Sequence, residues 1–300
     1  MPRRSNGEKS PRKRGHLTHL LALTFILCAL ALIGVLTITN KNPNQSTSHL
    51  LKAVKNIYSS TNLDSKLQKA WKKRLKDTDQ NVSIAVYSAK TGQTYSATNA
   101  SKHKFYTAST VKVSILAGLM IKENGDLDST EQELATEMIE NSNNDATTEL
   151  FQDYLGGKEG LQKVFDTFQM THSTAGSSWG LTSTTAADQV RLLNNIFFSS
   201  DKLTKSERSY IKGLMENVEA DQRWGISAGS SNYAIKNGWL PYGSRKWIIN
   251  SIGYIQGSGD NRYTIAVYTD GNSSMSEGES LIESFAKDTR KIMTEFAKDN

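Results

Sequence analysis

YTASTVKVSIL, Tyr106 to Leu116, sets a lysine into a run that has little use for one. From Val111 to Ile121 nearly every residue is apolar or small, the composition of a helix buried on most sides. Lys112 falls in its first turn, three residues after Ser109, and residues three apart on a helix share a face. A serine that opens a helix is accounted for as an N-cap, and a lysine in the first turn as one that snorkels to solvent. The chemical alternative treats them as a pair. Burying an ammonium is costly, so desolvation and a second cation favour the neutral amine, and a neutral lysine in reach of a serine takes its proton.

Two further stretches supply partners for such a pair. MIENSNNDATTELF carries Ser142-Asn143-Asn144 about thirty residues on. As plain turn chemistry the triplet opens a helix. As part of a site, Ser142 relays a proton to a leaving group, while Asn144 donates its amide to a substrate carbonyl and holds Lys112 with its oxygen. Lys236-Asn237-Gly238 ends the strand pattern YAIKNG. Asn-Gly after a strand signals a hairpin. Alternatively Lys236, at the strand's end, turns into a cleft to attract an anionic substrate, and Gly238 lets a substrate backbone come close.

The surrounding pattern gives the architecture. Leu50, Val54, Ile57, Tyr58, Leu67, Ala70, Trp71 and Leu75 mark one face of a helix or helix pair. Asn81–Ser88 is β-rich and is followed by a Thr91-Gly92 turn and a second extended piece through Tyr95. Residues from 106 to about 215 read as mainly helical. Strand signals return at Tyr233–Lys236, Trp247–Ile255 and Tyr263–Thr269, and a last helix carries Leu281, Phe285, Ile292, Met293 and Phe296 on one face. Consecutive late strands with short connections favour antiparallel pairing. The expected fold class is α+β: an antiparallel sheet flanked by N- and C-terminal helices, plus an all-helical subdomain. The sheet part takes 50–105 and 220–300, the helical part 106–219, and a cleft between them is the place for a site.

The first sixteen residues, MPRRSNGEKSPRKRGH, hold six Lys and Arg against Glu8 alone, which leaves little of the chain's net +6 for the rest. The basic character therefore belongs to a tail and gives no ground for a nucleic-acid partner. Leu20 to Ile38 carries no charge. As a helix it spans about 28 Å at about 1.5 Å per residue, close to the ~30 Å hydrocarbon core of a bilayer. The expected layout is a basic cytoplasmic tail (1–19), a transmembrane anchor in the plasma membrane (20–38), a polar linker (39–49) and a domain outside the cell (50–300). The competing reading is a cleaved signal peptide and a secreted domain. The apolar stretch is longer than a signal peptide's, and no A-x-A site follows it. Cys28, the only cysteine, lies inside this stretch, so the exported part has no disulfide.

Taken together, Ser109-x-x-Lys112, Ser142-Asn143-Asn144 and Lys236-Asn237-Gly238 resemble the Ser-x-x-Lys, Ser-Asp-Asn and Lys-Thr-Gly set of class A β-lactamases and penicillin-binding proteins. The resemblance covers roughly residues 50–300 and includes KNGWLPYGSR, where Gly-Ser-Arg follows the third motif, and the Thr-rich stretch Leu181–Leu192. It implies that Ser109 is the nucleophile, Lys112 a general base and Ser142 the proton shuttle. Lys236 and Arg245 would hold the substrate carboxylate, with Asn144, Asn237 and Gly238 also binding substrate. The backbone N–H groups of Ser109 and Trp239 would form the oxyanion hole. The substrate it implies is a β-lactam or a peptidoglycan peptide ending in D-Ala-D-Ala.

Asn143 for Asp and Asn237 for Thr depart mildly from that pattern. A third departure is larger. Class A β-lactamases carry an Ω-loop glutamate that activates the deacylating water, and THSTAGSSWGLTSTT, Thr171–Thr185, has neither Glu nor Asp. The expectation is an acyl-enzyme that forms and persists. His103 and His172 lack a triad context. No H-E-x-x-H or Cys/His cluster and no phosphate-binding glycine loop is present, so neither a metal nor a cofactor is expected. Two rival readings stay open: a cell-wall-binding or sensing module with weak catalysis, and an esterase.

Overall fold

The computed structural model of the protein describes residues 43–257 and 261–299. Its contacts divide the chain into two units, residues 1–61 and 62–300. The expected tail and anchor lie outside the described residues, and no described helix is long and apolar enough to cross a membrane. Helix α1, Pro43–Lys76, begins in the first unit and continues into the second. The polar linker expected over 39–49 is thus helical from Pro43 onward. Proline suits a first helical turn, where its missing N–H removes no intrahelical bond, and no glycine or proline follows before Gly92. Within the first unit Ile57 and Tyr58 are exposed.

In the second unit, Leu63, Leu67, Trp71 and Leu75 recur every fourth residue and are buried. Strands β1 (Asn81–Ser88) and β2 (Gln93–Thr98) form a hairpin. Short β3 (Phe105–Tyr106) leads through a tight turn into α2 (Val111–Lys122). Helices α3 (Ser129–Ile139), α4 (Asn144–Glu149) and α5 (Gly157–Thr167) follow. β4 (Ser183–Thr184) returns to pair with β3, and α6 (Ala186–Phe197) and α7 (Lys205–Glu216) complete the helical part. Strands β5 (Tyr233–Pro241), β6 (Trp247–Gln256) and β7 (Arg262–Asn272) precede the closing α8 (Met275–Asp299). The main sheet has the order β2-β1-β7-β6-β5, antiparallel throughout. The fold class is α+β, as expected.

Strand alternation sorts the sheet into two faces. On one, Trp71 Nε1 of α1 meets Thr289 of α8, and Ile249 lies against Gly278 of α8. On the other, Thr264 bonds Asn194 of α6, Asn250 bonds Tyr106, and Tyr268 bonds Thr110. The turn that carries Ser109 lies on this second face. The Asn-Gly pair is not a hairpin turn. β5 runs through it, with Asn237 opposite Ser251 and Gly238 opposite Asn250, and pairing continues to Pro241 opposite Trp247. Trp239 and Leu240 extend the strand-forming run, and pairing with β6 overrides the local turn preference.

Candidate active site

Ser109 sits in the turn Ala108–Thr110 at the start of α2. Ala108 has φ +46°, in the left-handed region that residues other than glycine rarely adopt. The surroundings fix this conformation from several sides. Thr110 Oγ1 donates to Thr107 O at 2.7 Å and accepts from the Tyr268 hydroxyl at 2.7 Å. Burial holds that phenol far above its usual range, so it stays a donor. Asn250 Nδ2 donates to Tyr106 O (2.8 Å) and Thr107 O (3.1 Å). β5 presses in from the sheet's edge: a Cβ added to Gly238 would lie 2.8 Å from Ser109 N and 2.8 Å from Thr107 O. Gly238 was expected to admit a substrate backbone. What it admits is the backbone of the nucleophile's own turn.

Lys112 does not snorkel; it is fully buried on α2. Its Nζ lies 2.6 Å from Ser142 O, 3.1 Å from Ser142 Oγ and 3.0 Å from Asn144 Oδ1. Ser142 has φ +56°, and Asn143 caps α4, accepting from Asp145 N and Ala146 N at 2.9 and 3.0 Å. Asn143 therefore has a fixed structural task that either Asp or Asn performs, and its neighbours are left to face Lys112. Burial, and then the charge of Lys236, push the Lys112 ammonium down to about 6. The three oxygens can take the three hydrogens of an ammonium, and they also suit a neutral amine. Its two hydrogens go to the two oxygens that can only accept, Ser142 O and Asn144 Oδ1, and its lone pair is left for the Ser142 hydroxyl. Ser109 Oγ makes no hydrogen bond among the described residues.

Lys236 lies mid-strand on the face that meets the Ser109 turn. It is fully buried, its Nζ has no partner among the described residues, and burial pushes it down to about 7. Asn237 points to the opposite face, as period two requires. Its amide donates to Gln222 O (2.8 Å) and Trp224 O (3.0 Å). The expected contact of Asn237 with substrate is thus replaced by a brace between β5 and the segment beside it. The Trp239 ring likewise packs on Trp224, 6.0 Å between centroids, so what this residue can offer the cleft is backbone. β5 is the sheet's outer strand, and N–H groups on its free side have no partner strand.

Arg245 was expected to be free for a carboxylate. Instead one of its nitrogens is occupied: Nη1 lies 2.7 Å from Asp270 Oδ2, 2.9 Å from Lys104 O and 2.9 Å from His103 Nε2. Asp270 is buried, and its other oxygen accepts from Asn81 Nδ2 at 2.7 Å. The guanidinium stacks over Tyr106, 4.3 Å from the ring centroid. Its Nε and Nη2 make no hydrogen bond among the described residues, so that edge of the fork can still receive a carboxylate.

The 171–185 loop is tied to the nucleophile turn through the β3–β4 pair and through Thr107 N, which donates to Thr182 O at 2.9 Å. It sets the Trp179 ring 5.0 Å from Lys112 Nζ, and Trp179 Nε1 donates to Thr148 Oγ1 at 3.1 Å. The first carboxylate after the loop, Asp188, is buried and accepts from His172 N and Ser173 Oγ, each at 2.8 Å. It holds the loop together.

A sequence profile of the beta-lactamase enzyme family, Beta-lactamase2, matches residues 121–293, more than half of the chain. The chain belongs to the beta-lactamase enzyme family. The matched segment begins after Ser109 and Lys112, so the match itself does not cover these two. No curated protein matches the chain. Among solved structures, a representative class A beta-lactamase from Bacteroides cellulosilyticus is similar at TM-score 0.67 and 16% identity, over 79% of this chain and 99% of that one. A beta-lactamase from Streptosporangium roseum is similar at TM-score 0.63 and 16% identity, over 77% and 99%. One from Xanthomonas campestris pv. campestris is similar at 0.63 and 15%, over 77% and 98%. At these identities the likeness is one of fold.

Two features of this family member's site were missed in the sequence. Trp179 stood in a loop searched only for carboxylates, and an aromatic among small residues (SSWGL) was the available signal. The His103–Asp270–Arg245 cluster joins residues 25 and 167 positions apart, and no local pattern announces it.

Proposed function

We propose that the domain is a serine hydrolase acylated at Ser109 by β-lactams or by D-Ala-D-Ala-like ends of peptidoglycan peptides. The observation that carries this reading is Lys112, buried yet aimed at a hydroxyl and two obligate acceptors, and pushed down to about 6. As substrate enters, its carbonyl oxygen is drawn to the N–H groups of Ser109 and Trp239. Ser109 Oγ forms a bond to the carbonyl carbon, and its proton passes through Ser142 to the lone pair of Lys112. Catalytic hydrogen bonds often tighten only in the complex. Collapse of the tetrahedral intermediate breaks the C–N bond, and Ser142 returns the proton to the departing nitrogen. An oxyanion donor contributes about 2.7–4 kcal/mol in a comparable serine hydrolase. The buried charge of Lys236 and the open edge of Arg245 attract the substrate carboxylate.

Deacylation is slow in this reading. The loop offers Trp179 and hydroxyls, and Asp188 is committed to the loop itself, so no carboxylate of the loop is in place to activate water. The uncharged stretch 20–38 behind a basic tail supports a single-pass plasma-membrane anchor with the domain outside. Intact-mass measurement with a labelled penicillin tests acylation: one adduct on the wild type and none on Ser109→Ala is expected. Saturable binding of cell-wall fragments, unchanged in Ser109→Ala and without any adduct, supports the sensing module instead.

A further inference from the structure

We propose that His103 is a positioning residue that sets the charge of the carboxylate pocket, so that the site prefers anionic substrates more strongly when the imidazole is protonated. The inference rests on acylation at Ser109 and deepens that reading.

It begins with a hydrogen count. Arg245 Nη1 has three neighbours and two hydrogens. Lys104 O at 2.9 Å and Asp270 Oδ2 at 2.7 Å can only accept, and they take both. No hydrogen is left for the contact with His103 Nε2 at 2.9 Å, so that nitrogen carries its own and gives it to Asp270 Oδ2 at 2.5 Å. His103 is therefore either the Nε2–H tautomer or the imidazolium, and the two differ only by a proton on Nδ1. With neutral imidazole, Arg245 and Asp270 sum to zero, and an incoming carboxylate meets a guanidinium whose charge is already balanced. With imidazolium the cluster sums to +1.

The ring is placed for exchange with solvent. It is part-buried and borders a cavity of about 380 Å³, lined also by Ser96, Ser101, Thr185 and His172. The titratable and charged groups facing it are Asp270 from β7, Arg245 from the turn after β5, and His172 across the cavity. Phe105 of β3 packs edge-on, 4.8 Å between centroids, and Lys104 is exposed. Arg245 in turn lies over Tyr106, two residues before the turn that holds Ser109. The charge is thus added beside Tyr106, on the strand that leads into the Ser109 turn.

The test is the rate of Ser109 acylation by a penicillin divided by that of its methyl ester, from pH 5 to 8, read by intact mass. Protonation of Lys112 slows both reagents and cancels in the ratio, while the penicillin carboxylate stays ionised throughout. In the wild type the ratio is expected to rise toward acid about 3- to 10-fold beyond the rise that Lys236, pushed down to about 7, itself supplies, the effect of one charge about 4 Å from another in a water-like dielectric. In His103→Gln only the part of the rise that Lys236 supplies should remain, and in His103→Lys the extra preference should persist at alkaline pH. A wild-type ratio independent of pH, or one that rises no more steeply than in His103→Gln, overturns the inference while leaving acylation intact. Absence of any adduct with either reagent overturns the acylation reading and this inference together.

Discussion

The α2–α4 side of the site and the 171–185 side are equipped for different amounts of chemistry. On the first, a backbone carbonyl, a hydroxyl and a side-chain amide oxygen converge on a buried amine, at 2.6 to 3.1 Å from its nitrogen. On the second, the group nearest the amine is an indole ring, and the buried acid Asp188 spends its oxygen on the loop's own His172 N–H and Ser173 hydroxyl. The contrast teaches that the two halves of an acyl-transfer cycle can be provided for separately. In the proposed reading, this site provides for attaching an acyl group and offers little to remove it by water.

The largest expected effect breaks the first side outright: Ser109→Ala abolishes the covalent penicillin adduct in an intact-mass assay. Next, Lys112→Met keeps the buried volume and removes the base. Acylation should fall by about 10²- to 10⁴-fold, the usual worth of a positioned general base. The wild-type pH profile sharpens this point. If Lys112 acts as the free amine, pushed down to about 6, acylation by a penicillin methyl ester, which does not call on the charge of Lys236, should rise with pH through about 6 and level off above it, and Lys112→Met should lose that limb. A profile still rising between pH 8 and 10 would mean that burial does not hold the amine neutral. Third, Gly238→Ala places a methyl 2.8 Å from Ser109 N and must shift the turn. A shift of about 1 Å costs about 10²-fold in rate, read as slower adduct formation with the fold retained by circular dichroism. The smallest effect is expected on the second side. Trp179→Ala opens the space beside Lys112 to water and should shorten the adduct's half-life a few-fold, while a half-life equal to wild type would assign water exclusion to another group.

Much of this was legible in the sequence because the chemistry is local there. Ser109 and Lys112 are one helical turn apart, Ser142 and Asn144 flank a helix cap, and burial of Lys112 follows from its apolar neighbours. The sheet's late strands were legible from their apolar runs, short of their full length. What was not legible depends on pairing and alternation. Asn237-Gly238 has turn propensity, and only its register with β6 keeps it in a strand, which also sends Asn237 to the face away from Lys236. Arg245 read as a free cation because its counter-ion, Asp270, lies on another strand and meets it only when β7 is in place. Trp179 acquires a role only because the β3–β4 bridge carries it to Lys112.

The central claim is that Ser109 is acylated readily and deacylated slowly. A time course of labelled-penicillin binding, followed by removal of excess reagent and intact-mass sampling, tests both parts. The account expects one adduct per chain, formed within the early points and persisting long after the free label is gone. Rapid loss of that adduct, accompanied by sustained turnover of a chromogenic cephalosporin, would contradict it.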